Sequence, residues 1–170
     1  EFKNTHSNAS SALDGCLEYL IENTYTKMGY LSKLQDNPAK EINAIVRADD
    51  LTLLGDLPEL NPKAMDDLRN YIELKSNTDQ QIVVRDLCTV RYAGRPYGWP
   101  EMETALLLAK LYKNQEINLI SAGEAVAAEK VITLLSESKH WAKVTITPRK
   151  TVSSDTLKNA RKLGQDLFAK

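Results

Sequence analysis

Histidine and cysteine are scarce in this chain, two of each among 170 residues. That scarcity excludes much chemistry. Cys16 and Cys88 lie far apart, in neither metal-ligand nor redox spacing, and read as two small buried thiols of a reduced cytosolic protein. His6 and His140 have no cysteine or second histidine at ligand spacing, so the sequence offers no zinc site. A Cys88–His140 nucleophile pair would have to be assembled by the fold, with no local support. No G-x-x-x-x-G-K-[S/T] loop occurs. The glycines at 94 and 98 do not replace one, because Pro96 between them has no N–H to offer a phosphate. The acidic doublets Asp49-Asp50 and Asp66-Asp67 read as solvated helix ends rather than as metal ligands or paired carboxylates. No apolar run approaches the roughly 20 residues that span a bilayer, and the first eight residues lack the apolar core of a signal peptide. The expectation is a cytoplasmic chain without membrane contact, catalytic site or cofactor. Its start at Glu1-Phe2, without methionine, reads as a piece of something longer with a cloning scar in front.

What is present suits a soluble fold. Hydrophobic residues make up 42% and charged residues 26%, ordinary for a globular domain, and the length allows a core without staples. The net charge of −1 hides an asymmetry. Residues 1–80 hold 8 Lys and Arg against 14 Asp and Glu, a balance of −6; residues 81–170 hold 14 against 9, a balance of +5. Two modules are one reading of that asymmetry, and a basic second half admits an anionic partner.

Helical periodicity dominates the first half. Leu13, Cys16, Leu17, Leu20, Ile21, Met28 and Leu31 predict one long helix over 10–34, capped by Ser10 or Ser11 and weakened at Gly15 and Gly29. Asn37-Pro38 and Asn61-Pro62 each give an N-cap followed by proline. The helices they open carry the inner faces Ile42, Ile45, Val46 and Met65, Leu68, Ile72. Residues 49–60, with Gly55 and Pro58, read as a connector anchored by Leu51, Leu53 and Leu54. A capping-box spacing from Thr78 to Gln81 favours a helix over 79–92 with Val83, Leu87 and Val90 on one face, although Ile82, Val83 and Val84 also suit a strand. Pro100 starts a helix to about Lys113. Period two then gives strands at 117–120 and 144–146, with a turn at Ala122-Gly123, a helix over 129–138 between them, and Pro148 as a stop. A last helix from Ser153 or Ser154 sets Leu157, Ala160, Arg161, Gly164, Leu167 and Phe168 on one side. The expected fold is mainly α with a small β component (α+β). It divides into a helical module over 8–76, a winged-helix-like module over 78–150 and a closing helix over 151–170.

Between those halves stands Arg95-Pro96-Tyr97-Gly98-Trp99-Pro100. Two readings of it stay open. Tyr97 and Trp99 can be a packing plug, each ring burying about 150–250 Å², with Gly98 allowing a backbone closed to other residues. Alternatively Arg95, Tyr97 and Trp99 form an exposed platform for a base or a partner's side chain. The P-Y-G-W core resembles a segment of the large P-loop proteins of bacterial BREX phage-defence systems, BrxC, or PglY in the related phage-growth-limitation systems. "LIENTYTKMGYL" (20–31) and "VTITPRKTVSSDTLKNARKLGQDLF" (144–168) are similar to the flanks of that segment, so the resemblance covers roughly residues 10–168. Members are longer and carry an ATPase module. The resemblance therefore implies a region outside that module, in a cytoplasmic, multi-subunit apparatus working on or near DNA. The family's ATPase activity has no residue here to carry it.

The partners this implies are other defence subunits or the rest of the parent chain, met through Arg95, Tyr97 and Trp99. The alternative partner is duplex DNA, held weakly and without sequence preference by Arg95, Lys110, Lys113, Lys143, Arg149 and Lys150. A recognition helix offers its N-terminal residues to base edges, and here that turn carries Glu101 and Glu103, which repel phosphates. If the cations share one face, DNA gains; if they scatter, protein contact gains.

Overall fold

The structure, a computed structural model, describes residues 8–48 and 61–149. The predicted connector over 49–60, the closing helix over 151–170, His6, Asp49-Asp50 and Lys150 lie outside the described residues.

Helix α1 spans Ala9–Thr24, and its cap is Asn8, whose Oδ1 accepts from Ser11 N at 2.8 Å, rather than Ser10 or Ser11. It ends well short of residue 34 because a tertiary contact takes over its backbone. Lys27 N–H donates to Pro96 O at 3.0 Å, and the Trp99 indole N–H donates to Lys27 O at 3.1 Å. Gly29 falls in a separate 3-10 turn, Met28–Tyr30. Helix α2 (Pro38–Arg47) follows the predicted signal, with Asn37 accepting from Lys40 N and Pro38 in the first turn. Its buried face is Ile42, Ile45 and Val46. Helix α3 (Pro62–Asn77) also begins at its proline and buries Ala64, Met65, Leu68 and Ile72. Asn61 before it does not cap. Held at φ 62°, it turns its amide onto the preceding segment, accepting from Ser32 Oγ and Lys33 N and donating to Lys33 O.

The predicted helix over 79–92 is corrected. Thr78 closes α3, and Ile82–Val83 form a short strand, β1, because their branched side chains find partners in Ile146 and Thr145 across an antiparallel ladder. The chain then turns helical, and Asp86–Tyr92 winds as a π-helix. That wide winding buries Leu87, Cys88 and Tyr92 but leaves Val90 67% exposed, so Val83, Leu87 and Val90 do not share a face.

Helix α4 (Glu101–Lys113) follows the aromatic turn, then strand β2 (Ile117–Ser121), the Ala122-Gly123 turn at positive φ, and a two-residue strand β3 (Glu124–Ala125). Helix α5 (Ala128–Ser136), 3-10 turns over Ser138–Lys143 and strand β4 (Val144–Pro148) complete the described chain. The sheet runs β1-β4-β2-β3, antiparallel throughout. Leu119 lies opposite Ile146 and Ile117 opposite Pro148, so one face turns Ile117, Leu119, Val144 and Ile146 into the core. Helices α2 and α5 pack on α4 and on each other, while α3 packs on β4. One continuous apolar cluster runs from Leu31 and Ile42 through Met65, Leu107 and Trp141 to Ile146. Elements on either side of residue 78 share it. No described helix is long and apolar enough to cross a membrane.

Candidate interaction surfaces

The aromatic turn is built inward. Trp99 is 2% exposed and Tyr97 3%, so neither ring offers a stacking platform. Trp99 lies parallel to Tyr92, centroids 4.6 Å apart and planes 6° off, while Tyr97 meets both rings edge-on at 4.6 and 5.1 Å. Gly98 is required here. Its φ is +65°, and a Cβ on it would stand 2.8 Å from the Tyr25 ring. The Arg95–Pro96 peptide is cis. Of the three residues predicted to meet a partner, Arg95 alone is exposed.

Under the rings lies a polar hub that the sequence did not disclose. Lys27 Nζ donates to Asp67 Oδ1 at 2.7 Å, and the Tyr97 hydroxyl donates to Asp67 Oδ2 at 2.8 Å. Tyr92 adds a longer bond to the same oxygen, at 3.3 Å. The Tyr97 oxygen in turn accepts from Lys27 and from Arg91, whose guanidinium sits 3.6 Å from the centre of the Tyr71 ring. Burial alone would push the Asp67 carboxyl up, but the bonds from Lys27 and Tyr97 together hold it below the usual carboxylate range. Asp67 in turn raises the Lys27 ammonium above its ordinary value. Thus the 25–31 segment, α3, the π-helix and the turn are tied at one point. The other half of the acidic doublet, Asp66, pairs separately with Arg69.

Neither member of the Cys88–His140 pair is set up as a nucleophile and its base. Cys88 is buried, which pushes its thiol well up, with the Glu101 charge adding to the shift. His140 lies against Glu137 at 3.4 Å. Cys16, expected to be buried, is half-exposed on α1. Among the described residues no three His, Cys, Asp or Glu side chains gather to hold a metal.

The π-helix, the turn and α4 form a helix-turn-helix, with α4 as the second helix and a small antiparallel sheet behind it. The family model for the winged helix-turn-helix domain of the BREX ATP-binding protein BrxC matches residues 27–150. The chain belongs to that family. It is a region of a BREX phage-defence protein. No solved structure matches the chain.

The second helix of this BrxC winged-helix domain is not presented to solvent. Residues 103–109 are seven consecutive buried positions, nearly two helical turns, so every direction around the axis is covered. Glu103, at the end that would face bases, is 2% exposed and accepts from Gln35 N at 2.6 Å. Asn61 pins the same linker at Ser32 and Lys33. At the other end Lys113 Nζ donates to the carbonyls of Val46, at 3.2 Å, and Ala48, closing the C-terminus of α2. Lys113 therefore serves the fold. Lys110 is half-buried, and Lys143 and Arg149 are exposed. Lys143 precedes β4 and Arg149 follows it, so about 20 Å of strand separates them.

Proposed function

We propose that this BrxC domain is a non-catalytic contact and coupling element, joining other defence subunits or the rest of its parent chain, and that it does not read DNA. The observation that carries the reading is the enclosure of α4. A helix that enters the major groove must leave its N-terminal residues open to base edges. Here α2 and α5 lie across α4, and Glu103 is committed to the linker backbone. Leu106, Leu107, Leu108 and Leu111, all buried, contribute roughly 6–12 kcal/mol relative to exposure. That is comparable with the whole stability of a domain. Freeing α4 for a groove would amount to unfolding the fold around it. On this reading nucleotide chemistry belongs elsewhere in the parent, and the domain transmits rather than catalyses.

The expected behaviour toward nucleic acid follows from how few of the candidate cations are exposed among the described residues. Arg95, Lys143 and Arg149 are exposed, and if all three met phosphates together the salt slope would be about −3, at roughly 0.9 per neutralised phosphate. Fluorescence anisotropy of two unrelated duplexes across a salt series tests this. Weak, sequence-indifferent binding at low salt, lost near physiological ionic strength, is expected. Submicromolar binding at physiological salt, or a large preference for one duplex, would make the domain a DNA reader and overturn the proposal.

A further inference from the structure

Helix α1 lies outside the matched domain and buries none of its residues. Its side chains sort into neighbouring rows of i, i+4 spacing. Leu13, Leu17 and Ile21 form the central row, 61%, 49% and 44% exposed. Cys16 and Leu20, the latter 58% exposed, stand on one side of that row. Asp14, Glu18 and Glu22 stand on the other side, all three exposed. The helix thus presents an apolar stripe with one edge entirely acidic. No Lys, Arg or His occurs anywhere in its 16 residues. Among the described residues none of the three carboxylates meets a cation. A helix of this length is marginal in water by itself and owes its stability to the packing of its apolar face, so the stripe is a surface to be covered.

We propose that α1 is the docking face for a basic amphipathic helix of a partner, one whose apolar stripe is edged by Lys or Arg. The proposal rests on the contact reading above and names its surface. Charge decides the occupant. When two helices meet, the rows of one pack between the rows of the other. Asp14, Glu18 and Glu22 would then run along the margin of the contact, within reach of the residues that flank the partner's stripe. Charges at such a margin choose partners, because a like-charged flank is penalised there. A second copy of α1 brings three more carboxylates and no cation. An anionic lipid surface repels the same row. A helix with leucines on its stripe and lysines or arginines beside it meets both features of α1 at once.

Cys16 lies within the stripe and reports its cover, while Cys88, buried, reports that the fold is intact. The test is the rate at which iodoacetamide alkylates Cys16 in the 170-residue chain, alone and with either of two synthetic helical peptides. Both peptides carry the same leucine stripe, edged by lysines in one and by glutamates in the other. At about ten times its Kd the lysine peptide should slow Cys16 about tenfold. The glutamate peptide at the same concentration should slow it no more than about twofold, since three marginal pairs suffice for a preference of about tenfold. An Asp14→Lys/Glu18→Lys/Glu22→Lys variant, altered only at exposed positions, should reverse the preference while Cys88 stays protected. Equal protection by both peptides, protection by neither, or a lysine preference that survives the charge reversal would overturn the proposal. So would a Cys16 already protected without peptide; loss of that protection on dilution would point to a second copy. These outcomes would remove α1 as the surface and leave the contact reading standing, because that reading falls on duplex binding instead.

Discussion

Replacing Trp99 with alanine should destabilise the domain by about 3–5 kcal/mol, the range for emptying a buried aromatic site. The ring is 2% exposed, stacked on Tyr92 and met edge-on by Tyr97, so the cavity would open against the π-helix. Its indole N–H also holds Lys27 O, so the loss removes an anchor of the 25–31 segment along with the packing. Urea unfolding followed by circular dichroism measures the change. A loss below about 1 kcal/mol would mean that the ring contributes little to the fold.

Asp67→Ala should cost about 2–3 kcal/mol. The substitution strands the Lys27 ammonium and leaves the Tyr97 hydroxyl, which also accepts from Lys27 and Arg91, without its acceptor. The pair is not sealed, since the Lys27 side chain is 35% exposed, and the figure sits below that for breaking a fully buried ion pair. The same carboxylate makes stability depend on pH. Its folded pKa lies below its unfolded one, so its contribution is present above the unfolded value, ordinarily near 3.9, and is lost as pH falls through the folded one. Stability of the native chain should therefore fall below about pH 4 more steeply than that of Asp67→Ala. Urea melts at a series of acidic pH values compare the two, and parallel curves would remove Asp67 from the account.

Local signals in the sequence carried over well. Asn37-Pro38 and Pro62 start their helices where cap and proline chemistry puts them, and Ile42, Ile45 and Val46 face inward as their spacing predicts. The strand alternation at Ile117–Ser121 and Val144–Pro148 is also present. Errors arose where distant residues decided the outcome. α1 stops early because Pro96 and Trp99 take the backbone of Lys27 from about 70 positions away. Ile82 and Val83 become strand because Thr145 and Ile146 are available to pair. The hub around Asp67 left no local signature, since Lys27 and Tyr97 lie 40 and 30 positions from it. The role of Lys113 was equally hidden, because a lysine near basic neighbours looks like a phosphate contact until Val46 and Ala48 are seen beneath it. One clue to the enclosure of α4 was legible, the unbroken apolar run Ala105–Ala109, which no helix with an open face needs.

That enclosure is the claim on which the functional reading rests, and amide hydrogen exchange along α4 tests it most directly. With α2 and α5 closed over it, residues 104–111 should exchange only through global unfolding, with opening free energies equal to the stability from urea melts. Exchange of those amides through a local opening several kcal/mol below the global value would show that α4 is released from the fold, and would contradict the account.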